Sequence, residues 1–382
     1  SSAASDVYKR QMFGLGEMAS GLYGQNTSMA GVTVGMREGM LMNIENPAGL
    51  TALDSCKLFS EASAFVKNER YRSDGSSSNA FTGNFSAFSL GGRIMRRWYM
   101  SAGVTPYSFV GYYFKSSQEL EGSPGTFVTS TFSGTGGLSK AFLSQGFSLT
   151  KHLSVGMNLN FIFGNMTQNE IQSAMTVSRE MSGRSFYADF GLQYHRPIAR
   201  ETFLTVGAIY GYKQRISLKN TVTVTGSSTE TPYNQKRVTQ YLPQYIGIGS
   251  SLAHKKWTYA LDYLFRQYGV LNSSDSRVKF RDSHELRLGV CYFPNGFSSS
   301  SYWKRMSYKA GVSVSTPYLR LKGQSGGAYR VSVGLGLPVL NGRINTAFYY
   351  DRLQLQGNAL RRDIMGFTVT YTLSEKFYQV KL

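Results

Sequence analysis

The stretch that decides the fold runs from residue 153 to residue 163 and reads L-S-V-G-M-N-L-N-F-I-F. Its apolar residues stand at every second position, namely Leu153, Val155, Met157, Leu159, Phe161 and Phe163. The positions between them hold Ser154, Gly156, Asn158 and Asn160. A period of two places the two sets on opposite faces of a β-strand. The stretch therefore predicts a strand with one apolar face and one small or polar face.

The same alternation recurs from about residue 55 onward, and helical spacing is nearly absent there. Residues 257–266, 286–292, 331–337 and 367–373 show it clearly. The pattern predicts about fourteen strands, near residues 55–67, 81–95, 98–115, 127–149, 153–170, 184–195, 202–222, 237–253, 257–268, 279–293, 306–318, 328–337, 343–352 and 363–373. The fold class predicted for this chain is therefore all-β.

The composition of the polar strand faces distinguishes a soluble β-sandwich from a transmembrane β-barrel. A soluble β-sandwich also alternates, but its outer face is solvated. Here the polar positions are mostly Gly, Ser, Thr and Asn, and charged residues make up 16% of the chain, against roughly 25% in an ordinary soluble domain. Aromatic residues gather near predicted strand ends, at Trp98-Tyr99, Trp257 and Tyr349-Tyr350, as in interfacial girdles. These features favour a transmembrane β-barrel and leave a soluble all-β fold as the alternative.

The connections between the predicted strands alternate in length. The long, polar ones are residues 68–80, 116–126, 171–183, 226–236, 269–278 and 319–327. The short ones include residues 96–97, 150–152, 196–201 and 254–256, whereas residues 294–305 form a longer exception. Long loops on one side, tight turns on the other and an even strand count are typical of up-and-down barrels in the bacterial outer membrane. The pattern predicts that location, with both termini in the periplasm.

Residues 12–54 do not alternate and are rich in Gly and Met. They contain a run of Asn46, Pro47, Ala48, Gly49 and Leu50. Asn46 can cap a helical turn that has Pro47 at its first position, and a simple cap is one interpretation of the motif. The run follows Gly14-Leu15-Gly16 and N-T-S-M-A-G-V at residues 26–32, and it precedes the strands. In this context the chain resembles the FadL-type outer-membrane transport proteins.

Two further stretches, P-Q-Y at residues 243–245 and G-L-G-L-P at residues 334–338, resemble variants from Bacteroidetes-type bacteria. The resemblance implies that the N-terminal segment forms a hatch inside a fourteen-stranded barrel. It also implies inward passage of long-chain fatty acids or other hydrophobic compounds. The chain departs from the family at residues 375–382, which form a polar tail where the family ends on an aromatic residue.

The third strand of FadL-type barrels has an inward kink that opens a side passage to the membrane. Gly103 and Pro106 lie in the corresponding strand here. Because proline removes a ladder hydrogen bond, it favours a bulge or an opening within a strand. The resemblance therefore predicts a lateral passage at Gly103 and Pro106, with a harmless edge irregularity as the alternative.

The chain divides into four predicted parts. Residues 6–11 read D-V-Y-K-R-Q, which resembles the translation of a sequencing-library adaptor, so residues 1–11 are interpreted as a remnant of it. Residues 12–54 are the predicted hatch, residues 55–373 the barrel, and residues 374–382 a periplasmic tail.

Several classes of function find no support in the sequence. The net charge is +19, from 41 Lys and Arg against 22 Asp and Glu, but the basic residues are scattered, which argues against a nucleic-acid partner. The four histidines are dispersed and predict no metal site. Cys56 and Cys291 lie far apart and form no paired motif. No catalytic motif is present, and neither an enzyme nor a cofactor is predicted.

Alternation places a set of ionisable residues on the inner face of the predicted barrel: Asp189, Asp262, Arg266, Arg287, Lys309 and Arg330. One interpretation is a lumenal network that holds the hatch, because such barrels have polar interiors. The other is that a subset of Arg266, Arg287, Lys309 and Arg330 binds the carboxylate of an amphipathic ligand.

The leading hypothesis is passive uptake of hydrophobic or amphipathic small molecules, by loop capture, hatch rearrangement and lateral release. The expected partners are outer-membrane lipid and a hydrophobic ligand. A second hypothesis is a non-transporting barrel that anchors or shuttles a periplasmic or secreted protein partner. A third is a general porin, which would have an open lumen and conduct ions.

Overall fold

The computed structural model describes most of the chain between residues 15 and 376. The described ranges are residues 15–19, 24–73, 76–119, 127–172, 175–226, 230–271, 278–294, 301–321, 326–355 and 361–376. The predicted adaptor remnant at residues 1–11 lies outside the described residues, as does most of the predicted tail.

Fourteen antiparallel strands form one closed wall. We number them along the chain as β1 Lys57–Ser73, β2 Ser76–Met95, β3 Trp98–Glu119, β4 Phe127–Ser148, β5 Leu153–Gln172, β6 Met175–Ala199, β7 Thr202–Gly211 with Gln214–Thr225, β8 Glu230–Leu242 with Tyr245–His254, β9 Trp257–Arg266, β10 Ser283–Tyr292, β11 Ser307–Ser315, β12 Gly326–Val339, β13 Gly342–Leu355 and β14 Arg361–Lys376. β14 pairs with β1 from Lys376 opposite Lys57 to Arg361 opposite Arg72. This pairing closes the barrel, so the predicted all-β class and strand number are confirmed.

Three predicted long connections are wrong. β8 begins at Glu230, so most of residues 226–236 is strand. β1 continues to Ser73 and β2 begins at Ser76, so most of residues 68–80 is strand. β5 ends at Gln172 and β6 begins at Met175, so most of residues 171–183 is strand as well. The ladders continue through polar residues on both faces, where alternation of apolar and polar side chains gives no signal.

The wall is apolar on its outside and polar on its inside. In β5 the side chains of Asn158 and Asn160 are buried towards the lumen, whereas Phe161 is 42% exposed. Large exposed hydrophobic residues recur around the barrel, among them Phe186, Phe190, Ile248, Leu288, Val314 and Val333. A closed barrel with such an outer belt suits a bilayer, since lipid covers the apolar face and the last strand pairs with the first.

The N-terminal segment fills the lumen. It contains a short strand, Glu17–Met18, and two 3₁₀ helices, Gly24–Met29 and Pro47–Ala52. The side chains of the first helix and most of the second are buried. Wall glycines admit the hatch backbone: a Cβ on Gly156 would lie 2.4 Å from the Ala48 nitrogen, and one on Gly207 would lie 2.1 Å from the Val34 oxygen. The lumenal glycines are therefore sites of close approach by the hatch.

The wall is incomplete between β2 and β3. Their described pairing runs from Met95 opposite Trp98 only as far as Phe88 opposite Val104. Beyond that point β3 pairs instead with the short strand Glu17–Met18, which lies opposite Ser108 and Phe109. We call this unpaired stretch of wall the β2–β3 gap.

The remaining described elements are small. The strands Val278–Phe280 and Leu319–Leu321 pair with each other outside the barrel sheet. A 3₁₀ helix spans Tyr268–Val270, and a four-residue α-helix spans Tyr302–Arg305. None of the helices in the described ranges has the length and apolar character needed to cross a membrane.

Candidate functional site

A cavity of about 410 Å³ lies inside the barrel, bounded by the hatch and by the barrel wall. Its floor includes Ile44 and Glu45 of the hatch. Its wall is rich in aromatic rings, contributed by Phe65, Tyr107, Phe109, Tyr187, Tyr212, Tyr245, Tyr268, Tyr318, Tyr329 and Tyr349. The cavity reaches the β2–β3 gap, because Glu17–Ala19 and Thr105–Tyr107 also line it.

The third-strand residues predicted to form a passage lie beside this gap. Gly103 pairs with Ser89 of β2, one position before the pairing ends. Pro106 lies opposite Ser139 of β4, and the next matched pair is Ser108 with Leu138, so Tyr107 is a bulge. The proline therefore coincides with a ladder irregularity at the point where β3 leaves β2.

Two of the four predicted headgroup residues meet the hatch at Glu45. Arg266 Nη2 lies 3.2 Å from Glu45 Oε1, and Arg287 Nη1 lies 3.0 Å from Glu45 Oε2. Glu285 joins the same group, at 2.8 Å from Arg266 Nη1 and 2.9 Å from Arg287 Nε. Thr33 also donates a hydrogen bond to Glu45. We call these five residues the Glu45 cluster; its charges pair with one another.

The other two predicted residues lie elsewhere. Lys309 Nζ donates to Gln25 Oε1 at 3.2 Å, next to the first hatch helix. Arg330 lines the cavity and forms a two-bond ion pair with Asp351 of β13. The structure therefore brings Arg266 and Arg287 together and leaves Lys309 and Arg330 apart from them.

The two aspartates predicted on the inner face, Asp189 and Asp262, each accept hydrogen bonds from nearby N–H groups. Asp262 of β9 accepts from the backbone N–H of Thr33 at 2.6 Å and of Val34 at 2.8 Å, so it ties a hatch turn to the wall. Asp189 of β6 accepts from the Asn158 amide at 2.5 Å and from the Asn160 amide at 2.7 Å. Each carboxylate has neutral donors close by, which stabilise its charge inside the barrel.

The Asn46–Leu50 motif positions the second hatch helix. The Asn46 side chain accepts from the Ala48 N–H at 3.2 Å, and Pro47 occupies the first turn. The same side chain donates to the Val34 carbonyl at 2.7 Å and to the Leu192 carbonyl of β6 at 3.2 Å. Asn46 therefore caps the helix and joins it both to another part of the hatch and to the wall.

Other hatch contacts were missed by sequence reasoning. Arg343 of β13 donates to Glu38 at 2.8 Å. Burial by itself raises the pKa of Glu38, but Lys309 and Arg343 outweigh it and hold that pKa below its ordinary value. Arg362 of β14 binds Glu17 at 2.5 Å and Glu69 at 2.7 Å. In the sequence Arg362 is one of many scattered basic residues, so only its inward position in a strand could have singled it out.

The described residues do not form a metal-binding site. Within the described ranges, no group of three or more His, Cys, Asp or Glu side chains is arranged to hold a metal ion.

A closed fourteen-stranded barrel with an apolar outer belt and an N-terminal hatch in its lumen defines an outer-membrane β-barrel of the FadL type. Within that class the chain belongs to the BamG family, whose family model matches residues 8–381. No curated protein matches the chain.

Several solved structures share the fold. The toluene transporter TodX of P. putida has a TM-score of 0.64 at 16% identity, covering 94% of this chain and 99% of its own. The Ralstonia pickettii toluene transporter TbuX has a TM-score of 0.60 at 14% identity, covering 92% and 98%. A Pseudomonas aeruginosa FadL homologue has a TM-score of 0.58 at 10% identity, covering 95% and 100%. At these identities the likeness establishes the fold.

Proposed function

We propose that this protein is a passive transporter of hydrophobic or amphipathic small molecules, such as long-chain fatty acids, in the outer membrane of a Gram-negative bacterium. The observation that carries the proposal is an aromatic-walled cavity that reaches the β2–β3 gap. The long connections capture the ligand, the cavity holds it, and the gap releases it sideways into the membrane. TodX and TbuX, which share this fold and are named as toluene transporters, support this class of cargo.

The firmly docked hatch favours the lateral route over a path straight through the lumen. A central path would break the Glu45 cluster and withdraw the hatch from the wall glycines. A lateral path needs movement only near Glu17–Ala19, which covers part of the free edge of β3. In this orientation the short turns and both termini face the periplasm.

An uptake assay tests the proposal. A host that lacks its own transporter would express the chain and receive labelled oleate, toluene and 2-naphthoate. We expect uptake of at least one compound above the empty vector. Uptake equal to the empty vector for all three, with a folded barrel shown by heat-modifiable migration, would contradict transport.

A deletion variant tests the lateral route within the same assay. Removal of Tyr107 eliminates the bulge, restores continuous register between β3 and β4, and is expected to narrow the gap. Uptake should fall towards the vector level. Wild-type uptake by this variant would exclude the β2–β3 gap as the route.

A second function is favoured by the filled lumen and by the family. On the basis of the family name BamG, we propose an association with the outer-membrane assembly machinery. A barrel sealed by its hatch suits a scaffold that binds protein partners. Affinity purification of the native barrel from outer membranes would test this function. Recovery of assembly-machinery subunits in fixed ratio would support it, and recovery of the barrel alone would contradict it.

A further inference from the structure

The cavity contains one cation that stands apart from the others. The basic residues that line it are Lys67, Lys140, Arg266, Arg330, Arg352 and Arg362. All except Lys140 form an ion pair with a carboxylate. Among the described residues, no carboxylate oxygen lies within 4.0 Å of Lys140 Nζ. Lys140 therefore carries a charge that the wall does not neutralise by direct contact.

The acids that act on Lys140 electrostatically are already bonded elsewhere. These are Asp189 and Glu45. Asp189 accepts from two asparagine amides, and Glu45 accepts from two arginines and a threonine. Neither acid is placed to close a direct pair with the Lys140 ammonium group. An anion entering the cavity would find three N–H donors on that group.

Lys140 also stands at the inner mouth of the β2–β3 gap. In the β3–β4 ladder it lies opposite Thr105, next to the bulge at Pro106 and Tyr107. Phe65 and Phe109, which line the same cavity, pack edge to face with ring centroids 6.2 Å apart. Aromatic rings outnumber long aliphatic side chains in the lining, and such rings favour a planar ring as their partner.

We infer that Lys140 is the anion-binding residue of this cavity and that the ligand it selects is a compact aromatic carboxylate. The carboxylate accepts from Lys140 Nζ while the ring of the ligand lies among the tyrosine and phenylalanine rings. The cavity volume of about 410 Å³ accommodates a ligand with one or two fused rings. This inference rests on the proposed transport function and narrows its cargo.

The test is calorimetric titration of the full chain in lipid nanodiscs. The probes are 2-naphthoate, its uncharged amide 2-naphthamide, and octanoate as a non-aromatic acid. For the wild-type chain we expect 2-naphthoate to bind about tenfold or more tightly than either of the others, as a charge-assisted hydrogen bond combined with ring packing provides. Lys140→Gln should abolish the preference for the acid over the amide, whereas Lys140→Arg should retain it. Lys219→Gln, on the exposed face of β7, is the matched control and should behave as wild type.

The outcomes distinguish failure of the inference about Lys140 from failure of the proposed transport function. If Lys140→Gln retains the tenfold preference for 2-naphthoate, the inference is overturned and transport stands. Equal binding of 2-naphthoate and octanoate by the wild type overturns the aromatic assignment. Failure of the wild type to bind any of the three probes overturns the inference together with ligand binding. Heat-modifiable migration of each variant shows that the barrel has folded.

Discussion

At the residue scale, Glu45 is the point where the hatch is most strongly bound to the wall. It faces Arg266 and Arg287, and the Arg287 side chain is only 1% exposed. Removing one partner of a buried ion pair leaves the opposite charge uncompensated, which costs about 3–5 kcal/mol. Glu45→Gln is therefore expected to loosen the hatch and lower the denaturant midpoint of the folded barrel.

Two measurements check the Glu45→Gln prediction. Urea unfolding in detergent should show the loss of stability, and planar bilayers should show ion conductance that the wild type lacks. The control is Glu180→Gln, an exposed carboxylate near the start of β6, which should change neither. If Glu45→Gln shows no ion conductance and an unchanged urea unfolding midpoint, Glu45 does not hold the hatch.

Asn46 carries the second residue-scale prediction. Its fully buried side chain caps the Pro47–Ala52 helix and donates to the Val34 and Leu192 carbonyls. Loss of a cap costs about 0.5–2 kcal/mol, and the orphaned carbonyls add to that cost. Asn46→Ala should therefore lower the free energy of unfolding by about 2 kcal/mol or more. Asn68→Ala, on the exposed face of β1, should have little effect on the same urea curve.

The sequence predicted the strand face on which the site residues lie, but it did not predict which residues they contact. Alternation correctly put Arg266 and Arg287 on the inner face, because a strand fixes the side on which a residue points. It could not foresee that Glu45 lies against both, since the hatch has no period that sets its path through the lumen. The role inferred for Lys140 was missed for a related reason: it depends on the absence of a carboxylate near Lys140 among the described residues, which only the folded arrangement shows.

At the scale of elements, the strands were predictable where one face was apolar and less so where both were polar. The β5 stretch from residue 153 to residue 163 is strand throughout, but the extensions of β1, β2 and β6 past the apolar belt were read as loops. The hatch helix at Pro47–Ala52 was predicted from its N-cap, Asn46, and from the proline at its first position. The β2–β3 gap depends on which neighbours a strand fails to pair with, and local sequence does not encode that.

The contact between the second hatch helix and β5 gives an element-scale prediction. A Cβ on Gly156 would lie 2.4 Å from the Ala48 nitrogen, in the first turn of that helix. Gly156→Val should displace the helix from the wall and cost about 1–3 kcal/mol through overpacking. Urea unfolding in detergent measures the cost. Gly226→Val is the matched control, because nothing lies within 4 Å of a Cβ at that exposed position. Equal midpoints for the two variants would contradict tight docking of the helix.

At the scale of the whole molecule, the net charge of +19 is concentrated in part on the short-turn end of the barrel. The exposed basic residues there are Arg93, Arg96, Arg97, Lys151, Arg196, Arg200, Lys255, Lys256, Lys304 and Lys376. Within the described ranges, the exposed acids at that end are Glu201 and Glu375. The hairpin tips adjoin girdle rings such as Trp257 and Tyr292, whose centroids are 4.5 Å apart. Basic tips beside an aromatic girdle suit anionic phospholipid headgroups.

This arrangement predicts that the short-turn end prefers anionic lipid. The intrinsic tryptophan fluorescence of the protein can test this preference. The three tryptophans, Trp98, Trp257 and Trp303, all lie near that end, so their fluorescence reports on the lipid around it. Brominated phosphatidylglycerol should quench them more strongly than brominated phosphatidylcholine, and 0.5 M salt should reduce the difference because it screens exposed charges.

Charge-removing variants locate the effect on the barrel. Replacing Arg96, Lys151, Lys255 and Lys256 together with glutamine should abolish most of the preference, since each basic residue near an anionic surface contributes about 1 kcal/mol. The matched control replaces four exposed basic residues at the long-loop end, namely Arg70, Arg72, Lys115 and Arg179. Equal quenching of the wild type by the two lipids would refute the prediction. Equal loss in both quadruple variants would mean that net charge, and not the short-turn end, selects the lipid.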